Sequence, residues 1–76
     1  MPLSIDKILP VALQTQIVGA IEYGIMAGEF FDNGALPSVR ALSKQLGVAQ
    51  LTVSQAYNTL KRMGLIETIP GKGTYV

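Results

Sequence analysis

The stretch "LGVAQLTVSQAY", residues 46–57, decides how this chain is read. Gly47 and Val48 mark a tight turn. After it, Val53, Ala56, Tyr57 and Leu60 recur at i, i+3, i+4 and i+7, one apolar face of a helix beginning near Gln50. A second, shorter helix precedes the turn. Pro37 keeps Leu36 extended, Ser38 is a strong N-cap residue, and Leu42 and Leu46 share one face. The expected helix runs from about 39 to 46, closed by Gly47, with Val48 turned inward as a plug. Two short helices joined by a glycine-containing turn form the helix-turn-helix pattern, in which the second helix enters the major groove of DNA. Yet residues 46–57 hold no Arg and no Lys. The charge that attracts a polyanion has to come from elsewhere.

Outward from that motif, the chain reads as three helices followed by a hairpin. Ile17, Ala20, Ile21 and Ile25 recur at helical spacing, so the first helix spans about 10–27, with Pro10 in its first turn and Gly28 just past its end. Gly19 and Gly24 each weaken it by about 1 kcal/mol relative to Ala, so packing has to hold it. Val18, Tyr23 and Met26 lie off its main stripe, either as ordinary exposed apolar residues or as cover for another subunit or domain. Phe30 and Phe31 are expected core anchors, and Asp32-Asn33-Gly34 is a turn signal. Ala35-Leu36 is a candidate very short strand. Lys61 and Arg62 suit the last turn of the third helix, which Gly64 closes. Residues 65–69 alternate as a strand, 70–73 are a turn, and 74–76 a returning strand. The expected fold is therefore mainly α with a small β-hairpin (α+β), a winged helix-turn-helix with a two- or three-stranded wing. Residues 1–9 form an arm and 10–76 one domain, with the helix-turn-helix at about 39–58 and the wing at about 65–76.

Composition narrows the function. Seventy-six residues make one small domain. With no Cys and no His, disulfides, thiol nucleophiles and the usual zinc ligand sets are excluded. The absence of a membrane-length apolar run or a signal-like start points to a cytoplasmic protein. The net charge of +1 conceals an asymmetry. Residues 1–35 set Lys7 against Asp6, Glu22, Glu29 and Asp32, a balance of −3. Residues 36–76 set Arg40, Lys44, Lys61, Arg62 and Lys72 against Glu67, a balance of +4. The basic half is a candidate polyanion face; the plainer reading is two solvated faces of a near-neutral domain.

"LPSVRALSKQLGVAQLTVSQAYNTLKRMGLIETIPGKGTYV" resembles the winged helix-turn-helix of GntR-family bacterial transcription regulators. The pieces that carry the likeness are LPS-x-R, LGV, TV-x-x-AY-x-x-L, GLI and GKGTYV, in order and at the family's spacing, and the likeness extends over roughly residues 10–76. It implies double-stranded DNA as partner, no cofactor, and a homodimer in a longer protein with an effector-binding domain. It also implies a backbone contact for Arg40, a phosphate contact for Thr52 near the start of the recognition helix (about 50–63), and an approach of Gly71 and Lys72 to the minor groove. The chain departs from the family where Gln50 and Ser54 stand in place of a frequent Arg. It departs again at Ala49, where Ser or Thr would cap the helix, worth about 1 kcal/mol.

These readings divide the work. Arg40 and Lys44 on the second helix, Lys72 on the wing and the third helix's N-terminus supply phosphate attraction, and Ser38 at the second helix's cap is counted with the DNA-binding residues. Gln50, Ser54 and Gln55 are left to meet bases, Gln pairing well with adenine, and Leu51 to meet a thymine methyl. Gln55 and Lys44 are also consistent with plain solvated surface. Catalysis finds no nucleophile, base or metal cluster. "PGKGT" at 70–74 lacks the earlier Gly of a phosphate loop and has Gly73 where magnesium would need Ser or Thr. The competing reading is a winged helix used only for protein–protein contact. RNA is disfavoured by the lack of an aromatic stacking platform.

Overall fold

The computed structural model describes residues 12–29 and 34–76. Helix α1 (Leu13–Met26) is followed by strand β1 (Ala35–Leu36), helices α2 (Val39–Leu46) and α3 (Gln50–Arg62), and strands β2 (Glu67–Ile69) and β3 (Gly73–Tyr75). The three strands form one antiparallel sheet in the order β1-β3-β2. The wing is therefore three-stranded, and the tiny strand ahead of the helix-turn-helix is its edge. Ala35 pairs with Tyr75 and Leu36 with Thr74. The Val76 amide donates to the Gly34 carbonyl at 2.7 Å, extending that ladder past β1.

Helix α1 is held by its buried face, as its two glycines require. Ile17, Ile21 and Gly24 are buried at i, i+4 and i+7, so the second glycine sits where the helix meets the core. Ala20 and Ile25 are half-buried. Val18 departs from expectation: it packs against the core cluster, while Tyr23 and Met26 stay 71% and 86% exposed. The helix is shorter than the expected 10–27, starting at Leu13 behind Ala12 and ending before Ala27, with Gly28 at φ 76° just beyond. The expected arm, Pro10, Phe30-Phe31 and Asp32-Asn33 lie outside the described residues.

One core joins the three helices and β1, and Ile66 closes it ahead of the hairpin. Ile17 and Ile21 of α1, Leu36 of β1, Leu42 of α2, four residues of α3 and Ile66 before β2 form a single buried cluster. The α3 contribution is Val53, Ala56, Tyr57 and Leu60, the stripe the spacing predicts. Leu46 and Val48 pack against this cluster from the partly buried shell. Strand β2 starts at Glu67 rather than at 65 because the chain leaving α3 is still turning. The Gly64 amide donates to the Lys61 carbonyl, and the Leu65 amide to the Leu60 carbonyl, both at 3.0 Å. Those groups are committed to closing the helix. The returning strand is likewise shifted by one residue, to Gly73–Tyr75.

Candidate nucleic-acid interface

The turn between α2 and α3 is built by its caps. The Ser38 hydroxyl oxygen accepts the Ala41 amide at 3.0 Å, satisfying a first-turn donor. At the other end Gly47 adopts φ 68°, ψ 37°, a left-handed geometry that costs a residue with a Cβ about 1 kcal/mol or more. The amides of Gly47 and Val48 both donate to the Ser43 carbonyl, at 2.9 and 3.1 Å. Three residues later α3 begins. Its N-cap, Ala49, is extended (φ −65°, ψ 145°) and makes no side-chain cap bond. The first turn of α3 thus keeps its partial positive charge without a side-chain acceptor from the cap residue.

A second tie fixes α3. The Tyr57 hydroxyl donates to the Pro37 carbonyl oxygen at 2.7 Å, linking the middle of α3 to the residue before the α2 cap. Tyr57 is 2% exposed. Burial pushes its phenol up to about 12, so it stays a neutral donor. The spacing assigns Tyr57 to the apolar face; that its hydroxyl also joins the two helices of the motif is visible only in the structure.

At 100° per residue, the surface of α3 sorts its site residues into three stripes. Gln50 and Ser54 follow one flank, Gln50 exposed and Ser54 half-buried. Leu51, Gln55, Asn58 and Arg62 run directly opposite the buried stripe, all exposed. Thr52 and Thr59 follow the flank that meets α1, where Gln14 Nε2 reaches Thr59 Oγ1 at 3.5 Å. Thr52 is therefore separated from Gln50 and Ser54 around the helix, and half-buried. Leu51 is 66% exposed at the tip of the helix, an apolar side chain that the fold itself leaves without cover. Arg40 and Lys44 are both exposed, one turn apart on α2.

The wing tip is a tight turn. Pro70 precedes Gly71 at φ 76°, and the Lys72 amide donates to the Ile69 carbonyl at 3.0 Å, the pattern a type II turn requires. The Tyr75 hydroxyl holds the Lys72 carbonyl at 3.3 Å. Gly71 and Lys72 are exposed at this held tip. Asn58 and Arg62 extend the exposed stripe of Leu51 and Gln55, although residue type and position alone assign Arg62 to the helix dipole. The signal for both in the sequence is the i, i+4, i+7, i+11 stripe from Leu51. Among the described residues no helix is long and apolar enough to cross a membrane.

Known proteins share these features. The family model described as bacterial regulatory proteins of the gntR family matches residues 13–76. The transcriptional repressor NagR of Bacillus subtilis is 34% identical over 74 residues, which are 97% of this chain and 30% of that repressor. The solved structure of YtrA from Sulfolobus acidocaldarius, a GntR-family transcription factor, superposes with a TM-score of 0.86. It is 36% identical, covering 97% of this chain and 78% of its own. The DNA-binding domain of AraR in complex with operator ORE1 shares the fold, with a TM-score of 0.81 at 24% identity, over 100% of this chain and 93% of its own. The chain spans less than a third of the length of NagR. Family match and winged-helix geometry agree: the chain belongs to the gntR family of bacterial regulatory proteins.

Proposed function

We propose that residues 10–76 are the DNA-binding domain of a transcription regulator. Helix α3 lies in the major groove with its Gln50 end towards the bases, and the Gly71-Lys72 tip reaches the backbone or minor groove. The observation that carries this reading is the exposed, side-chain-uncapped first turn of α3, with Gln50 and Leu51 open to solvent. Outside α3, the exposed Arg40 and Lys44 of α2 and Lys72 of the wing supply the positive charge that α3 lacks in its first turns. In this division Ser38, Arg40, Lys44, Thr52, Gly71 and Lys72 position the duplex. Gln50, Ser54 and Gln55 read base edges, and Leu51 meets a thymine methyl.

The reading extends to the whole regulator: a cytoplasmic homodimer, with an effector-binding domain beyond this one. A two-fold dimer imposes its symmetry on the operator as paired half-sites. The test is duplex binding across a salt series. Log K falls linearly with log salt if phosphates are neutralised. No binding to any duplex at low salt would leave the domain as a protein-contact module instead.

A further inference from the structure

A shallow cleft of about 250 Å³ opens beside α3, lined by Gln14, Gln55, Asn58 and Arg62. It contains one guanidinium, three carboxamides and no carboxylate. Thr59 ties three of the four lining residues together. The Thr59 hydroxyl accepts from Arg62 Nη2 at 3.1 Å and from Gln14 Nε2 at 3.5 Å, and donates to the Gln55 carbonyl at 3.1 Å. Arg62 is thereby steadied over the last turn of α3 through one nitrogen, and it is exposed and lines the cleft. Among the described residues no acidic side chain pairs with it.

We infer that this cleft is a phosphate site, occupied by a backbone phosphate of the bound duplex at the edge of the major groove. The inference rests on the DNA-binding reading and adds a contact at the opposite end of the helix. The chemistry of the lining is that of phosphate recognition: a planar cationic fork and neutral N–H donors, with nothing to repel an anion. The geometry agrees. Gln50 and Arg62 are twelve residues apart, or about 18 Å along the helix axis. The major groove is about 12 Å wide and 8.5 Å deep, so a helix of this length that is inclined into it with its first turn at the bases carries its last turn towards the phosphate edge. A helix C-terminus disfavours an anion, and Lys61 and Arg62 in that turn offset this. The charge missing from the start of α3 is thus present at its end, on the same stripe as Leu51.

The test uses the chain with a duplex selected by it from a randomised library, remade with one neutral methylphosphonate at each backbone position in turn. Selection of a duplex by the unaltered chain establishes DNA binding independently of the cleft; failure to select any would remove both readings. Given binding, one position per half-site is expected to cost the unaltered chain on the order of tenfold, as for loss of one charge-assisted bond. Arg62→Gln, an exposed change checked for folding by circular dichroism, becomes insensitive at that position alone. Its salt slope falls by about 0.9, while Arg62→Lys retains the slope. Equal profiles and slopes for Arg62→Gln and the unaltered chain would overturn the assignment. In a second arm, inorganic phosphate is titrated at constant ionic strength while the Asn58 side-chain amide is followed by NMR. Saturation there, with an unchanged methylphosphonate profile, identifies a free-anion site and equally overturns it.

Discussion

Tyr57 in the middle of α3 donates its hydroxyl to the carbonyl oxygen of Pro37, 20 residues earlier, at 2.7 Å. Pro37 stands between the edge strand β1 and the cap of α2, so this bond joins the recognition helix to the point where sheet and first motif helix meet. Tyr57→Phe keeps the ring in the core and leaves the Pro37 carbonyl without its partner. The expected loss is about 1–3 kcal/mol in a urea melt, the range for an unsatisfied group. An unchanged midpoint would mean that solvent replaces the bond without cost.

The same phenol sets an alkaline limit. Its folded pKa, raised by burial to about 12, lies above the ordinary value of 10.0. Below pH 10 both states hold the proton and its contribution to stability is constant. As pH rises from about 10 to 12 the unfolded chain releases it first, so stability falls through that window. Melts of the parent chain and Tyr57→Phe across pH 9–12 should converge as pH increases. Parallel curves would contradict the burial of this hydroxyl.

Ala49 is the N-cap of α3 and offers no side-chain acceptor. Ala49→Ser supplies one in the same extended backbone and should stabilise the fold by about 1 kcal/mol. Thermal melts read this directly. A destabilised variant would show that the cap site is not open to the added hydroxyl.

Arg40→Ala should weaken binding to all duplexes by a similar factor, because a phosphate contact carries no direct base information. The magnitude of the log K against log salt slope should fall by roughly 0.9, one phosphate's share. A preserved slope would show that Arg40 makes no such contact.

What the sequence made legible follows from where the signals are local. Helix α2 was expected at 39–46 and spans Val39–Leu46, because both its ends carry their own chemistry, an accepting hydroxyl at Ser38 and a left-handed glycine at Gly47. The buried stripe of α3 likewise follows from spacing within one element. Contacts between distant segments leave no such trace. A two-residue strand has no period, so nothing near Ala35 foretells its pairing with Tyr75. The same holds for the Tyr57–Pro37 bond and for the Gln14–Thr59 contact that brings α1 to the cleft at Arg62. At the interface, the cations of α2 and the wing tip were legible by residue type. How α3 distributes Gln50, Leu51 and Thr52 over separate stripes requires the helix and its core face together.

Base reading by the Gln50 end of α3 is open to a direct measurement on a half-site library. The unaltered chain and Gln50→Ala are each equilibrated with duplexes randomised across the half-site, and relative affinities are obtained by sequencing. Gln50→Ala is expected to flatten discrimination at one base pair per half-site by about 1–3 kcal/mol, adenine being the favoured partner, with non-specific binding little changed. An even loss across all sequences, with base preferences intact, would make Gln50 a backbone contact and contradict base reading by this end of α3.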